Sequence, residues 1–453
     1  MSALNSISEV QFSKGQPRNI LAQLKNSAFV KNVLVVMSGT ALAQVLSFAL
    51  SPIISRLYSP ADFGVFGSFT AILGVVGAVM TLEYSQALIL PKQKDDAFGL
   101  FVISCLSTLL IVAFCLAICL VASGFILNFV KAQNAWILVL LVMGILISGL
   151  SQTFQGWCIR VKAFKHTSAS QVIRSLSANG TQIGLGYLKG GALALIFAAT
   201  LGDMLATLSL AKVVLREPKI LWRSIRWKRI WQLVKEYRDF PLYSASTNVM
   251  NSVSLGLPVF LLTHFYGIAV AGAYAFGIRL MQAPMGLVLT ALRQVLYQKT
   301  SETHNEGGRL VPLYVKITGG LFAVGFLPSL ILFVWAPQIF SLLFGVQWHT
   351  AGLFARSLVL WLLFMFCNLP AVLFSQVIRM QRRMFLYNLI LLMGRALALI
   401  MGGIYLPASQ TVLIFSLVGA VMNIVYIIII GFALKKMEGD TTLEDMFNAV
   451  MKG

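Results

Sequence analysis

Apolar runs of about 20 residues or more recur along the whole chain, and that recurrence limits the fold before any motif is read. A helix of that length crosses the hydrocarbon core of a bilayer. Inside lipid every backbone N–H and C=O must be bonded within the protein, so only helices and closed barrels span. The runs here are continuous and lack the apolar/polar alternation of barrel strands. With 58% hydrophobic and 11% charged residues and a mean hydropathy of +0.84, the sequence predicts an all-α polytopic membrane protein, not a soluble enzyme.

The runs fall at 33–57, 63–90, 97–126, 135–157, 169–188 and 192–215, then at 242–265, 269–297, 313–335, 351–378, 385–406 and 410–434. About twelve spans in two sets of six are expected. The predicted organisation is an N-terminal segment (1–31), an N-lobe (32–215), a linker (216–239), a C-lobe (240–434) and a tail (435–453). A net charge of +20 raises the question of nucleic acid as a partner. The basic residues lie instead in short connections between apolar runs, as the positive-inside rule requires. Connections with Arg160, Lys162 and Lys165, or with Arg379, Arg382 and Arg383, alternate with ones poor in Lys and Arg. Both termini are therefore predicted to be cytoplasmic. The polar start of the chain has no signal-peptide pattern, so the first helix is expected to act as the insertion signal. In the linker, Trp227, Ile230, Trp231 and Val234 recur at helical spacing among Arg223, Arg226, Lys228, Arg229 and Lys235, a pattern for a helix lying against anionic lipid.

Residues 32–91 organise the N-lobe as two helices joined by a turn at Tyr58-Ser59-Pro60. The first repeats small residues every fourth position (Gly39, Ala43, Ser47, Ser51, Ser55), which lets another helix approach closely. Pro52 removes a backbone donor and predicts a bend or local unwinding. Laying Ser55-Arg56-Leu57-Tyr58 over Thr263-His264-Phe265-Tyr266 brings Gly64 onto Gly272 and Phe66 onto Tyr274. This points to duplication, with parallel halves related by an axis along the membrane normal.

Ionisable groups at membrane depth mark pathways or pair with one another. Arg279 and Arg395 fall near the midplane of their helices, Arg356 lies one or two turns from the outer end of its helix, and Arg56 and Arg293 lie near helix ends. No carboxylate after Asp239 falls within a span, and arginine keeps its proton. These cations must use water, backbone carbonyls, an acid of the other lobe such as Glu83, or an anionic ligand. We expect several to line a wet central cavity that receives an anion, whose oxygens suit the forked guanidinium. Arg56 and Arg293 have snorkelling to headgroups as the alternative, and Arg174 and Asp203, on successive helices, have mutual pairing. Glu83 is either a structural partner or the titrating group of an ion-coupled step, and Asp203 is a second candidate for coupling. His264 reads as an interfacial polar residue. Cys115 and Cys119 share a helix face with no adjacent His or carboxylate and read as small buried hydrophobes. No ATP-binding, zinc-binding or hydrolase pattern is present, so no cofactor, metal or catalytic residue is expected.

Three rival functions differ in what they need. A multidrug-type cation antiporter wants acids in its cavity. A membrane polymerase or ligase wants a sizeable outer loop with catalytic charges, whereas 337–350 contains no acid, Lys or Arg. A non-transporting scaffold needs no deep arginines.

Four stretches carry a family likeness: SRLYSPADFGVF from Ser55, EYSQALILPK from Glu83, GIRLMQAP from Gly277 and IFSLLFGVQWHTAGLFAR from Ile339. With the six-plus-six layout, the chain resembles the bacterial polysaccharide biosynthesis flippases of the O-antigen and capsule type, within the multidrug/oligosaccharidyl-lipid/polysaccharide exporter superfamily. The resemblance implies a V-shaped pair of six-helix bundles in the bacterial cytoplasmic (inner) membrane, working by alternating access. It implies as cargo a polyprenyl-pyrophosphate-linked oligosaccharide, with membrane lipids, a proton or sodium ion, and polysaccharide polymerase or assembly proteins as further partners of a monomer. Arg56 and Arg279 lie within the family-like stretches, whereas Arg395 lies outside them.

Overall fold

A computed structural model describes residues 28–131, 134–216, 227–305, 309–378 and 380–451. The basic N-terminal segment, Arg223, Arg226, Glu306 and Arg379 lie outside the described residues. Among the described residues the secondary structure is helical throughout. The N-lobe contains α1 (Ala28–Leu57), α2 (Pro60–Gly77), α3 (Lys94–Val121), α4 (Trp136–Arg160), α5 (Phe164–Tyr187) and α6 (Gly191–Leu215). The C-lobe contains α7 (Ser246–Tyr266), α8 (Ile268–Asn305), α9 (Leu310–Phe344), α10 (His349–Cys367, continued by Leu369–Val377), α11 (Gln381–Tyr405) and α12 (Ala408–Met451). Ten stretches are long and apolar enough to cross a membrane. The remaining two long helices, α5 and α8, are the polar ones. Both pack on other helices, α5 on α1 and α6, and α8 on α2, α7 and α10.

The pairing of helices repeats between the halves. Contacts α1–α5, α5–α6, α3–α4 and α4–α6 recur as α7–α11, α11–α12, α9–α10 and α10–α12. The two glycines that the sequence alignment superposes meet at the crossing of α2 and α8. A Cβ on Gly64 would strike the Ile268 carbonyl, and one on Gly272 would strike the Pro60 carbonyl. These two clashes exchange under the alignment, which puts the pseudo-two-fold axis between the glycines. The aligned tyrosines also act alike. Tyr58 donates to the Gln182 carbonyl on α5 (2.6 Å), and the Tyr266 hydroxyl lies within hydrogen-bond distance of the Gly402 (2.9 Å) and Leu406 (2.6 Å) carbonyls at the end of α11.

Several local expectations are corrected. α1 stays helical through Pro52, without the local unwinding. The carbonyl that loses its partner to the proline ring is that of Phe48, and the Ser51 hydroxyl donates to it at 2.6 Å. The second helix, expected to reach residue 90, stops at Gly77. Leu82 and Glu83 then adopt left-handed φ of 47° and 62° before a short helix, Tyr84–Ala87. Side chains of neighbouring helices satisfy the freed carbonyls: Gln152 donates to Gly77 (3.2 Å) and Thr108 to Met80 (3.3 Å). α9 continues through Pro337 to Phe344, so the expected outer loop is mostly helix, and Gly345 at φ 109° makes the turn. The C-terminal tail continues α12 to Met451.

The two lobes are joined most tightly at the end that holds the α1–α2, α7–α8 and α9–α10 turns. There Phe63, Phe276 and Trp348 pack as one cluster, with centroids 5.0 Å (Phe63–Phe276), 5.1 Å (Phe63–Trp348) and 4.0 Å (Phe276–Trp348) apart. The Ser55 carbonyl accepts from Gln347 Nε2 (2.7 Å) and Trp348 Nε1 (2.8 Å), while the Ser55 hydroxyl donates to the Phe344 carbonyl (3.1 Å). We call this the sealed end.

Candidate functional site

Directly beneath the seal lies a cavity of about 420 Å³, counting the part that opens to solvent. Its walls come from both lobes. α1 supplies Ser47, Phe48, Ser51 and Ile54, and α5 supplies Asn179 and Gln182, while Phe276, Arg279, Leu280 and Ala283 come from α8. The small-residue stripe of α1 explains the N-lobe wall. Its Gly39, Ala43 and Ser47 face α5, where Ser175 donates to the Ala43 carbonyl (2.8 Å) and Asn179 donates to Ser47 Oγ (2.9 Å). Ser175, Asn179 and Gln182 follow one another at helical spacing, so α5 turns an amide and hydroxyl face toward α1 and the cavity. That periodicity was available in the sequence but is masked there by the apolar residues between.

Arg279 is the cation of this cavity. It sits about 16 Å along α8 from the sealed end and its side chain is exposed. Its guanidinium stands 5.7 Å from the centre of the Phe66 ring. Among the described residues it has no hydrogen bond or ion pair, and no carboxylate lines the cavity. Arg293 is exposed on the same helix, 14 residues further from the seal and close to the same face at ~100° per residue.

The other deep or helix-end charges are not gathered at this cavity. Arg395 is enclosed within the C-lobe, only 4% exposed, with its guanidinium carbon 4.1 Å above the Trp361 ring and 5.0 Å from that of Phe415. Its Nε and Nη2 have no hydrogen-bond partner among the described residues. Gly419 makes the room, since a Cβ there would lie 2.6 Å from Arg395 Nη2. Arg356 donates from Nη2 to the Val334 carbonyl (2.9 Å), one turn before Pro337. Arg56 is exposed at the sealed end, its Nη2 3.5 Å from the Leu342 carbonyl.

The acids are also separated. Glu83 is 5% exposed and bridges the lobes away from the seal: its Oε1 accepts from Asn248 Nδ2 of α7 at 2.9 Å, and its Oε2 accepts from Gln86. Beside it Tyr84 reaches toward the Val234 carbonyl of the linker helix Trp227–Glu236, and burial pushes its phenol up. That helix is tied to α3 by a two-pronged contact from Arg229 to Asp96, 2.8 Å on each prong, and buries Ile230 and Leu233 while Trp227 and Trp231 stay exposed. Asp203 of α6 pairs with Arg174 of α5 through Nε, with Nη2 at 3.4 Å.

The architecture is shared with known transporters. The structure of the lipid II flippase MurJ in an inward closed conformation superposes with a TM-score of 0.71 at 15% identity, covering 91% of this chain and 93% of that one. An inward-facing multidrug resistance MATE family transporter of the MOP superfamily gives 0.69 at 16% identity, covering 87% and 96%, and an outward-facing MATE family structure gives 0.59 at 14% identity, covering 95% and 99%. These likenesses establish the two-lobed helical fold. No curated protein matches the chain by sequence search. The family model described as "Polysaccharide biosynthesis protein" matches residues 53–352, about two thirds of the sequence and both sides of the cavity. The chain belongs to the polysaccharide biosynthesis protein family.

Proposed function

We propose that this protein is a flippase that moves a polyprenyl-pyrophosphate-linked oligosaccharide from the inner to the outer leaflet of the bacterial cytoplasmic membrane by alternating access. The observation that carries the reading is Arg279: an accessible, unpaired guanidinium at mid-depth in an acid-free cavity between two lobes. A diphosphate supplies the oxygens that such a group lacks, and the amide and hydroxyl wall of Ser47, Asn179 and Gln182 suits sugar hydroxyls. Arg293, on the same helix face, would draw the headgroup in from the opposite end. Family membership supports a glycan as cargo, and the named activity of the MurJ neighbour supports a flipping reaction. Arg56, Arg356 and Arg395 serve in this reading as structural cations and not as contacts to cargo.

With the seal at one end, movement to the other state requires the α2–α8 crossing to rock open while the far end closes. Glu83 stands where the far ends of α2 and α7 meet, and we assign it to ion coupling. Replacing it by Gln is expected to change the proton or sodium dependence of transport.

The competing reading, export of cationic drugs, is favoured only by the likeness to MATE folds; an arginine cavity repels cations. The deciding experiment reconstitutes the purified protein in liposomes and follows translocation of an undecaprenyl-pyrophosphate-linked oligosaccharide beside efflux of a cationic dye. Glycolipid translocation without dye efflux supports the proposal, and dye efflux alone rejects it.

A further inference from the structure

The linker helix Trp227–Glu236 is bound to the rest of the protein along one side. Ile230 and Leu233 are buried, a Cβ on Gly99 of α3 would lie 2.5 Å from Leu233 Cδ1, and Arg229 beside them holds Asp96. At ~100° per residue the next strip around the helix carries Trp227 and Trp231, and the strip beyond that Lys228 and Lys235. The tryptophans are 70% and 64% exposed, and both lysines are exposed with no side-chain partner among the described residues. Packing on α3 accounts for the first strip and leaves the other two unexplained. The helix lies level with the first turn of α3, a span that starts at Lys94 and whose apolar run starts at Ala97. A bilayer around that span puts its headgroup layer beside the helix, with tryptophans at the acyl boundary and lysines among the phosphates. The helix also adjoins the junction between the lobes. Tyr84, next to Glu83, reaches the Val234 carbonyl at 3.4 Å. At its far end the chain passes through the π-helical turn Phe240–Ala245 into α7, where Asn248 donates to Glu83 at 2.9 Å. A helix docked on the N-lobe thus sets where α7 of the C-lobe begins.

We propose that the exposed side of this helix is a regulatory seat for anionic phospholipid, in which Lys228 and Lys235 take headgroup phosphates, and that its occupancy favours the Glu83–Asn248 bridge. Charge complementarity and position select lipid as the occupant: two free cations adjoin two exposed indoles in one continuous band at headgroup level. A lipid held there is remote from the cavity, so it acts on the arrangement of the lobes and not as cargo. Pinning the helix steadies the start of α7 where Asn248 meets Glu83, and by linkage the formed bridge raises the affinity of the seat for lipid. The inference stands or falls independently of which molecule the protein moves.

The test places the full-length protein in phosphatidylcholine nanodiscs with increasing phosphatidylglycerol, brominated in its acyl chains. The emission that Trp227→Phe/Trp231→Phe removes reports the two tryptophans, and the thermal midpoint reports headgroup binding. In the wild type the bromines should quench that emission and the midpoint should rise with phosphatidylglycerol. Each lysine contributes about fivefold to headgroup affinity, so Lys228→Gln/Lys235→Gln should abolish the rise. Asn248→Ala, which opens the bridge, should raise the phosphatidylglycerol fraction at half-response about fivefold, the low end of coupling between two sites. If that variant does not fold, Asn248→Ser answers the same question. A midpoint rise as large without the two lysines as with them overturns the seat. Unquenched tryptophans also overturn it and leave that face to a protein partner. An unchanged half-response in the Asn248 variant overturns the link to the bridge.

Discussion

Arg279 and Arg395 look alike in the sequence, each a lone arginine midway along an apolar run of the same lobe, yet their surroundings are opposite. Arg279 opens into the interlobe cavity, its guanidinium over the Phe66 ring at 5.7 Å from the ring centre. Arg395 is clasped between Trp361 and Phe415, with two nitrogens unpartnered. Depth in the membrane gives the cost of a charge but not how that cost is offset. At Arg395 the offset comes from aromatic faces, whose attraction for a desolvated cation is about 2 kcal/mol. At Arg279 it comes from solvent in the cavity and, in our proposal, from the cargo. The difference separates an arginine that can exchange partners from one that cannot.

The largest expected effect is on transport. Arg279→Gln should lower glycolipid translocation about 100-fold, the loss of two charge-assisted bonds at ~1.5 kcal/mol each, with the thermal midpoint unchanged. Normal translocation by that variant would remove Arg279 from the site. For Arg395→Met we expect retained transport and a neutral or raised unfolding midpoint, because exchanging a buried charge for an apolar side chain of similar volume is often neutral or stabilising by about 1–4 kcal/mol. A folded but inactive Arg395→Met protein would erase the distinction between the two arginines.

A third variant sharpens the contrast between cavity and seal. Gly272→Val places methyl groups against the Pro60 carbonyl and should cost about 1–3 kcal/mol as overpacking. The strain falls on the state in which α2 and α8 cross closely, so a cysteine reporter at Ser47 should become more reactive toward a reagent added at the sealed end. Unaltered labelling would mean that the crossing does not govern access. The smallest effect is expected at the linker helix. Arg229→Gln breaks an exposed pair with Asp96 and should shift stability by only about 0.2–1 kcal/mol in a thermal scan; a larger loss would show that the helix clamps the lobes together.

The likeness-bearing stretches gain a physical meaning in three dimensions. Those from Ser55, Gly277 and Ile339 converge at the sealed end and its edge, where Ser55, Phe63, Trp348 and Phe344 interlock. The stretch from Glu83 forms the other interlobe bridge through Asn248. Three of the four stretches and the Glu83 bridge thus lie at contacts between the lobes.

The sequence by itself determined the class of fold, the near position of most spans and the duplication, because bilayer thickness and backbone hydrogen bonding act on local composition and leave few alternatives. It also marked Arg279 and proposed the pairing of Arg174 with Asp203, since an isolated charge at depth is conspicuous in an apolar run. Tertiary structure alone decided the rest. The break after Gly77 lies within a continuous apolar run and depends on Gln152 and Thr108 of other helices to bond its carbonyls. The aromatic enclosure of Arg395 depends on Trp361 and Phe415, and the open position of Arg279 depends on which helix faces meet between the lobes. Hydropathy records how far a residue lies from the membrane surface. Whether it meets water, a ring or an acid at that depth is set by helices distant in sequence, and only their packing brings those partners into reach.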